Sequence, residues 1–411
     1  MGGKERTMRR SGEKPAEALV IGGGIAGCTL AYELARRGIA TTLVEQNALA
    51  AESSGRNTGT LLSGPQPEVV ALLDACAAIY GELAEGPVPF EFAPVGHLLI
   101  AEDEERLEAA AAVAERYRAA GVGMEPVGGA ELARAHPRLG FAVAGGFFVE
   151  RAWTLEPMGA THAFAAAARE AGAAIRTGLR VAQVVSRGGR VEGVLTDQGR
   201  LSADLVFLAN GLWMGDLLRR TVGDGPLPGL PFTAGRGWLI QLGRLEVPLP
   251  WIVEELTWPD QAELGRRMAL GGLADVAAQR DDRPGVEAIC LNPMQGGDAR
   301  LGASVQPAFR DLLRNTDMPA RIAGRALRMI GGLESVAVKN VYPGNRPMLS
   351  DGLPVAGRTP IDGLYLHGGM GSIGMHAAPA TARWLVEAVL SGDGDPAEAW
   401  LRPSRFPGWS A

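Results

Sequence analysis

The sequence predicts an α/β fold: a parallel sheet with a β-meander, interrupted by an inserted domain whose sheet is mostly antiparallel and flanked by helices. Three observations predict it. An apolar strand, a glycine turn and a helix open the chain at 18–37. A three-strand meander with glycine turns covers about 180–209. A long strand-like stretch, 232–304, separates both from a closing strand and helix at 364–367 and 378–390. The parallel unit is then assembled from 16–90, 151–230 and 335–395, and the insert from 91–150 and 231–334. A polar tail at 1–15, expected to be disordered, and a C-terminal tail at 396–411 complete the chain of 411 residues.

The first strand, 18–21, is apolar throughout, as a buried parallel strand should be. Gly22, Gly24 and Gly27 follow it with G-x-G-x-x-G spacing. The first glycine permits the tight turn, the second lets a pyrophosphate approach the backbone, and the third lets helix pack on sheet. The helix 25–37 starts at Ile25 and Ala26 and aims its free N–H groups at the phosphates, and Gly38 stops it. The next strand, 40–45, ends on Glu45, with Gln46 after it. That carboxylate accepts hydrogen bonds from both ribose hydroxyls and repels a 2′-phosphate. The unit is Rossmann-like, but it does not separate FAD from NAD.

Residues 51–67 are rich in Ser, Gly, Asn and Thr and read as a long loop beside the cofactor. Helices are expected at 104–120 and from Glu156-Pro157 to Ala171, each stopped by glycine. The meander strands are 180–186, 190–196 and 201–209. In the insert, strands are expected at 238–242, 287–291 and 300–304, a surface loop or lid at 266–284 and a helix at 319–329. A turn-rich loop then leads to the closing strand.

Bulk composition narrows the function. The net charge is −6 and no basic stripe stands out, which argues against nucleic acid as a partner. No run of about 20 apolar residues suggests a membrane span. Arg9-Arg10 is followed by no apolar stretch, so an export signal is rejected. Cys28, Cys76 and Cys290 are too far apart for a metal pattern or a disulfide framework, which fits a cytoplasmic location.

Four further motifs, taken with the opening unit, resemble the FAD-dependent amine and amino-acid oxidoreductases, which include D-amino-acid oxidase, glycine oxidase and sarcosine oxidase. Ser53-Ser54-Gly55-Arg56-Asn57-Thr58-Gly59 is similar to their second cofactor loop. Leu208-Ala209-Asn210-Gly211-Leu212-Trp213 resembles their A-A-G-x-W, with Asn210 replacing a small residue. The run from Gly344 through Arg346-Pro347 and Asp351 to Gly357 is close to G-x-R-P-x-x-x-D-x-x-P-x-x-G. The run from Gly369 to Pro379 is similar to the flavin-facing glycine loop, with Met370 where histidine is common. The resemblance runs from about residue 16 to 392 and makes the parallel unit an FAD-binding domain.

The residues support each motif on their own chemistry. Ser53, Ser54, Arg56 and Asn57 carry hydroxyl, guanidinium and amide donors suited to a pyrophosphate. Around Gly371, Ser372, Ile373, Gly374 and Met375 there is little side chain, so backbone N–H groups can reach a flat ring. The following helix can stabilise negative charge at its N-terminus. By resemblance, Thr58, Asn210, Gly211 and Trp213 join the cofactor contacts, and Val181 binds adenine through its backbone.

The resemblance also implies that Arg346 grips a substrate carboxylate over the flavin, which counts it with the cofactor contacts too. A structural arginine bracing the Pro347 turn is the alternative. Tyr342 and Trp238 are candidate pocket walls, or core. His97, His367 and His376 are cavity or packing candidates, and no residue is singled out as catalytic.

The implied reaction is hydride transfer from the Cα–H of an amine or amino acid to flavin N5, giving an imine that hydrolyses. Relatives that bind flavin covalently do so through a cysteine near the arginine motif. None lies at 341–357 here, so FAD is expected to be non-covalent. The only lysines are Lys4, Lys14 and Lys339, and none matches the oxygen-activating lysine of sarcosine oxidases. The electron acceptor is therefore open between oxygen, a quinone and a partner subunit. Two further readings remain: the flavin subunit of a homo- or hetero-oligomeric amino-acid, opine or proline dehydrogenase, and a non-catalytic flavoprotein. The first would be supported by exposed apolar surface at 266–284 or 400–409.

Overall fold

The apolar run read first in the sequence lies in the middle of a six-stranded sheet. In the computed structural model the strand order is Val355–Arg358, Leu364–Gly368, Leu205–Leu208, Glu17–Ile21, Ala40–Glu45, Ala174–Thr177. All neighbours are parallel except the pair at the Val355–Arg358 edge. The structure describes residues 17–64, 67–136, 139, 143–225, 227–246, 248–256, 286–308 and 317–409. The expected tail at 1–15 and the expected loop or lid at 266–284 lie outside them.

Helices Ile25–Ala35, Pro67–Ala84, Pro157–Glu170 and Gly374–Ser391 cover one face of this sheet through a core that includes Val20, Leu30, Leu43, Phe164, Phe207 and Leu385. The meander covers the other face, packing Val184, Val191 and Val194 against Leu19, Val206 and Leu366. Burial on both faces is why these strands read as continuous apolar runs rather than alternating ones.

The third meander strand needs correction. Residues 201–209 are two strands: Gly199–Ser202 stays in the meander, and Leu205–Leu208 enters the parallel sheet. Asp204 makes the break. Its N–H donates to Glu17 O and its carboxylate accepts from Glu17 N, 3.0 Å in each case.

The insert holds an eight-stranded sheet in the order Val338–Leu349, Phe232–Leu242, Ala299–Ala308, Val286–Pro293, Ile252–Glu255, His97–Ala101, Gly145–Val149, Glu125–Gly128. It is antiparallel except where Ile252–Glu255 runs parallel to His97–Ala101. Helices Met318–Met329 and Glu104–Ala119 contribute to separate cores against it. The turn-rich loop expected before the closing strand holds the first of these strands, Val338–Leu349. Pro343 and Pro347 made it read as turns. It is an edge strand, with one neighbouring strand in the sheet, and that is where a sheet tolerates proline.

Two more readings change. The loop expected at 51–67 contains the strand Thr60–Leu62, paired with Ala152–Leu155. The C-terminal tail is folded: Leu401, Phe406 and Trp409 are buried against the cores. Among the described residues no helix is long and apolar enough to cross a membrane, and no group of three or more His, Cys, Asp or Glu could hold a metal ion.

Candidate active site

One large cavity, of about 1200 Å³, lies between the C-terminal ends of the parallel strands and the inner face of the eight-stranded sheet. That exceeds the roughly 300–1,000 Å³ of an ordinary small-molecule pocket. Open parallel sheets bind ligands at this end of their strands.

The opening turn forms one wall. Gly22 has φ +114°, a conformation that favours glycine, and a Cβ there would collide with Ala209 O. Gly22, Gly24, Ile25 and Ala26 line the cavity, but Gly27 does not. Gly27 instead lies against Gly22 O, so close that any Cβ would clash with it. That contact sets the approach of helix to turn. Glu45 accepts from Gly23 N at 2.6 Å and from Asn47 N at 2.7 Å, so its carboxylate is fixed at the cavity edge beside Gln46.

The second loop lines the cavity from Ser53 to Thr58, but its side chains are already engaged. Ser54 Oγ accepts from Ile25 N at 2.9 Å, capping the opening helix. Ser53 Oγ donates to Asn345 O. Arg56 Nε donates to Ala51 O at 2.9 Å, and Asn57 Nδ2 to the carbonyls of Ser53 and Ser54 at 3.0 Å. The donors expected to face a pyrophosphate therefore shape the loop. Val181, Asn210, Gly211 and Trp213 add the adjoining wall.

The late glycine loop lies opposite. Gly371, Ser372, Ile373, Gly374 and Met375 line the cavity, and Gly371 N donates to Pro347 O at 2.8 Å. The helix starts at Gly374, four residues before the expected Ala378, so its free N–H groups open onto the cavity. His376, in that first turn, accepts from Leu62 N at Nε2, 2.7 Å away. Burial pushes its pKa down to about 4, so it is neutral near pH 7. His367 is fully buried, within hydrogen-bond distance of Ala26 O and Thr381 Oγ1, and is lowered to about 4 for the same reason.

Arg346 enters from the edge strand. It is paired with Gly235, and its guanidinium lies over Gly237, where a Cβ would stand 2.5 Å from Nη1. Nη1 donates to Ser304 O at 2.9 Å, and Arg346 lines the cavity. Burial pushes its pKa down, yet a guanidinium keeps its charge. Trp238 is buried in the core of the insert and also lines the cavity. Tyr342, on the same strand as Arg346, is half-buried, with the charges of Arg300, Glu156 and Arg56 near it, and is not among the residues that line the cavity. The sequence reading missed Gly237, Cys290 and Glu254, which also line the cavity.

Asn210 Oδ1 and Asn345 Oδ1 are buried lining acceptors without a hydrogen-bond partner among the described residues. Buried acceptors seldom go unmet, so this wall is complementary to a ligand that carries donors.

The sequence model of the family described as FAD dependent oxidoreductase matches residues 17–388. A D-amino acid dehydrogenase of Cereibacter sphaeroides is 28% identical over 433 aligned positions, covering 90% of this chain and 91% of that one. The Synechocystis bifunctional protein ThiO/ThiG is 27% identical over 95% of this chain and 54% of its own length. The glycine oxidase structure from Geobacillus kaustophilus superposes with a TM-score of 0.79 at 22% identity, covering 96% of this chain and 100% of that one. The L-proline dehydrogenase structure from P. horikoshii gives 0.78 at 20% identity, covering 96% and 98%.

Proposed function

This chain belongs to the family of FAD dependent oxidoreductases, and from that premise we propose that it oxidises the carbon–nitrogen bond of an amino acid held by Arg346. The observation that carries the reading is the guanidinium over Gly237, anchored by one N–H on Ser304 O, of an arginine that lines the cavity shared by the opening turn and the late glycine loop. A planar fork of this kind holds a carboxylate with two parallel hydrogen bonds.

The cavity's size, the crowded glycine turn, the helix N-termini at Ile25 and Gly374 and the orphan Asn210 and Asn345 acceptors all fit FAD. When bound, FAD supplies the hydride acceptor. Gly22, Gly24, Ile25 and Ala26 would hold the pyrophosphate, Glu45 the ribose, Val181 the adenine, and 371–375 the ring. Non-covalent binding is supported by Cys290, the only cysteine among the lining residues. Burial holds its thiol well above the ordinary cysteine range, so it stays protonated and a poor nucleophile.

Arg346 orients the substrate. His376 is too weakly basic at about 4 to take a proton near pH 7, so an amine that arrives neutral needs no base from it. Lys339 is paired with Asp298 away from the cavity, and no lysine lines the cavity among the described residues. That supports a quinone or protein acceptor over oxygen.

The test is an anaerobic absorbance screen of the purified protein with D- and L-amino acids, N-methyl glycines and opines. Bleaching by carboxylated amines is expected. A flavin that none of them reduces overturns the reading and leaves a non-catalytic flavoprotein. Reoxidation by air at catalytic speed would overturn the preference for another acceptor.

A further inference from the structure

Glu254 and Glu255 are neighbours on one strand, and their surroundings differ. Glu255 is 2% exposed, bonds Arg325 and accepts from Ile289 N at 3.3 Å. Glu254 points to the other face of the sheet and is paired with Cys290. It lines the main cavity and keeps 23% of its side chain accessible. Among the described residues it has no arginine or lysine partner; His97 approaches it, Nε2 to Oε2 at 3.0 Å, and Cys290 and Tyr117 are also near. His97 is 3% exposed, and neither ring nitrogen has an aligned hydrogen-bond partner among the described residues. Behind the pair lies a second, smaller cavity of about 160 Å³, bordered by Ser63 and Tyr117. Glu254 lines both cavities.

The sheet fixes where this carboxylate stands relative to the arginine. The Arg346 guanidinium reaches across to Ser304, on the strand Ala299–Ala308. Glu254 is two strands further along the same sheet, about 10 Å at the usual strand spacing. A substrate whose carboxylate sits on Arg346 keeps its α-amino group close to that carboxylate. Glu254 is too far off to meet it, and lies instead at the reach of a lysine- or arginine-length side chain.

We propose that Glu254 is a specificity-determining residue that binds a cationic group at the distal end of the substrate, so that the enzyme takes basic amino acids. The inference deepens the reading above and rests on it. A half-buried carboxylate facing a cavity, with no guanidinium or ammonium partner, is complementary to a cation and pays a desolvation cost with any apolar side chain.

The experiment is anaerobic flavin reduction by lysine, arginine and norleucine, each as D and L isomers, in the wild type and in Glu254→Gln. Norleucine has lysine's carbon chain without its charge. In the wild type, kcat/KM for lysine should exceed that for norleucine by about 30-fold or more, the scale of one buried charged partner. Glu254→Gln should bring that ratio down by a similar factor, through a higher KM for the basic substrates. A wild-type ratio of one or below overturns the proposal without any variant, and so does a ratio that Glu254→Gln leaves unchanged. If norleucine reduces the flavin and lysine does not, only this inference falls. If neither those substrates nor any other amino acid reduces it, the amino-acid reading falls as well.

Discussion

The phenolic hydroxyl of Tyr80 donates a 3.0 Å hydrogen bond to the main-chain carbonyl of Met375. The reason is four residues further on. Pro379 lies inside the helix Gly374–Ser391 and has no N–H to return to that carbonyl. Tyr80, fully buried on the helix Pro67–Ala84, supplies the missing donor. Tyr80→Phe would leave a buried acceptor unmet, and a loss of about 1–3 kcal/mol is expected. Met375 lines the cavity, so FAD should also dissociate more readily. Urea unfolding and flavin release measured on one preparation test both. An unfolding midpoint equal to wild type would mean the bond contributes nothing.

The opening turn makes a sharper prediction. A methyl group at Gly27 would overlap Gly22 O, and Gly22 cannot retreat without moving against Ala209. Gly27→Ala should therefore distort the turn from behind, although Gly27 touches nothing in the cavity. The expected product is a folded, colourless protein with native far-ultraviolet circular dichroism. A yellow Gly27→Ala protein with undiminished FAD affinity would contradict this account of the third glycine.

These two cases mark what was legible in the sequence. The strand Ala40–Glu45 and the glycine turn follow local rules, and both form where those rules place them. The arginine motif was legible as a motif, but not as a strand: Pro343, Gly344 and Pro347 look like a turn until the sheet gives them an edge to occupy. The start of the last helix was hidden because Pro379 reads as a first-turn residue. Its true place inside the helix depends on Tyr80, which is 295 residues from Met375 in sequence. Gly237 and Glu254 could not be identified as lining residues, because strand register alone brings them to the face that holds Arg346 and Cys290.

Two buried histidines set a pH dependence. His367 and His376 are depressed to about 4 by burial, whereas an unfolded histidine titrates near 6.5. Between those values the unfolded chain binds more protons than the native one, so stability rises with pH. The contribution is fully present above about 6.5 and is lost as pH falls toward about 4, on the order of 3 kcal/mol per histidine. Denaturant midpoints at pH 7, 6 and 5 should fall steadily. The decline should be shallower in His376→Gln, which removes one titrating ring and keeps an acceptor for Leu62 N. Equal slopes in variant and wild type would show that His376 is not held neutral.

Arg346→Lys separates charge from geometry. Lysine keeps the positive charge but offers no planar fork, so it cannot bond Ser304 O and hold a carboxylate with two parallel hydrogen bonds. If Arg346 acts through that fork, kcat/KM for an amino acid should fall about 30-fold or more. The matching amine without a carboxylate should lose far less, because it never used the fork. The readout is the ratio of the two substrates within each protein, which cancels any general loss of flavin or fold. Equal losses for both substrates would make Arg346 a brace for the strand and the glycine loop, and would move carboxylate recognition elsewhere in the cavity.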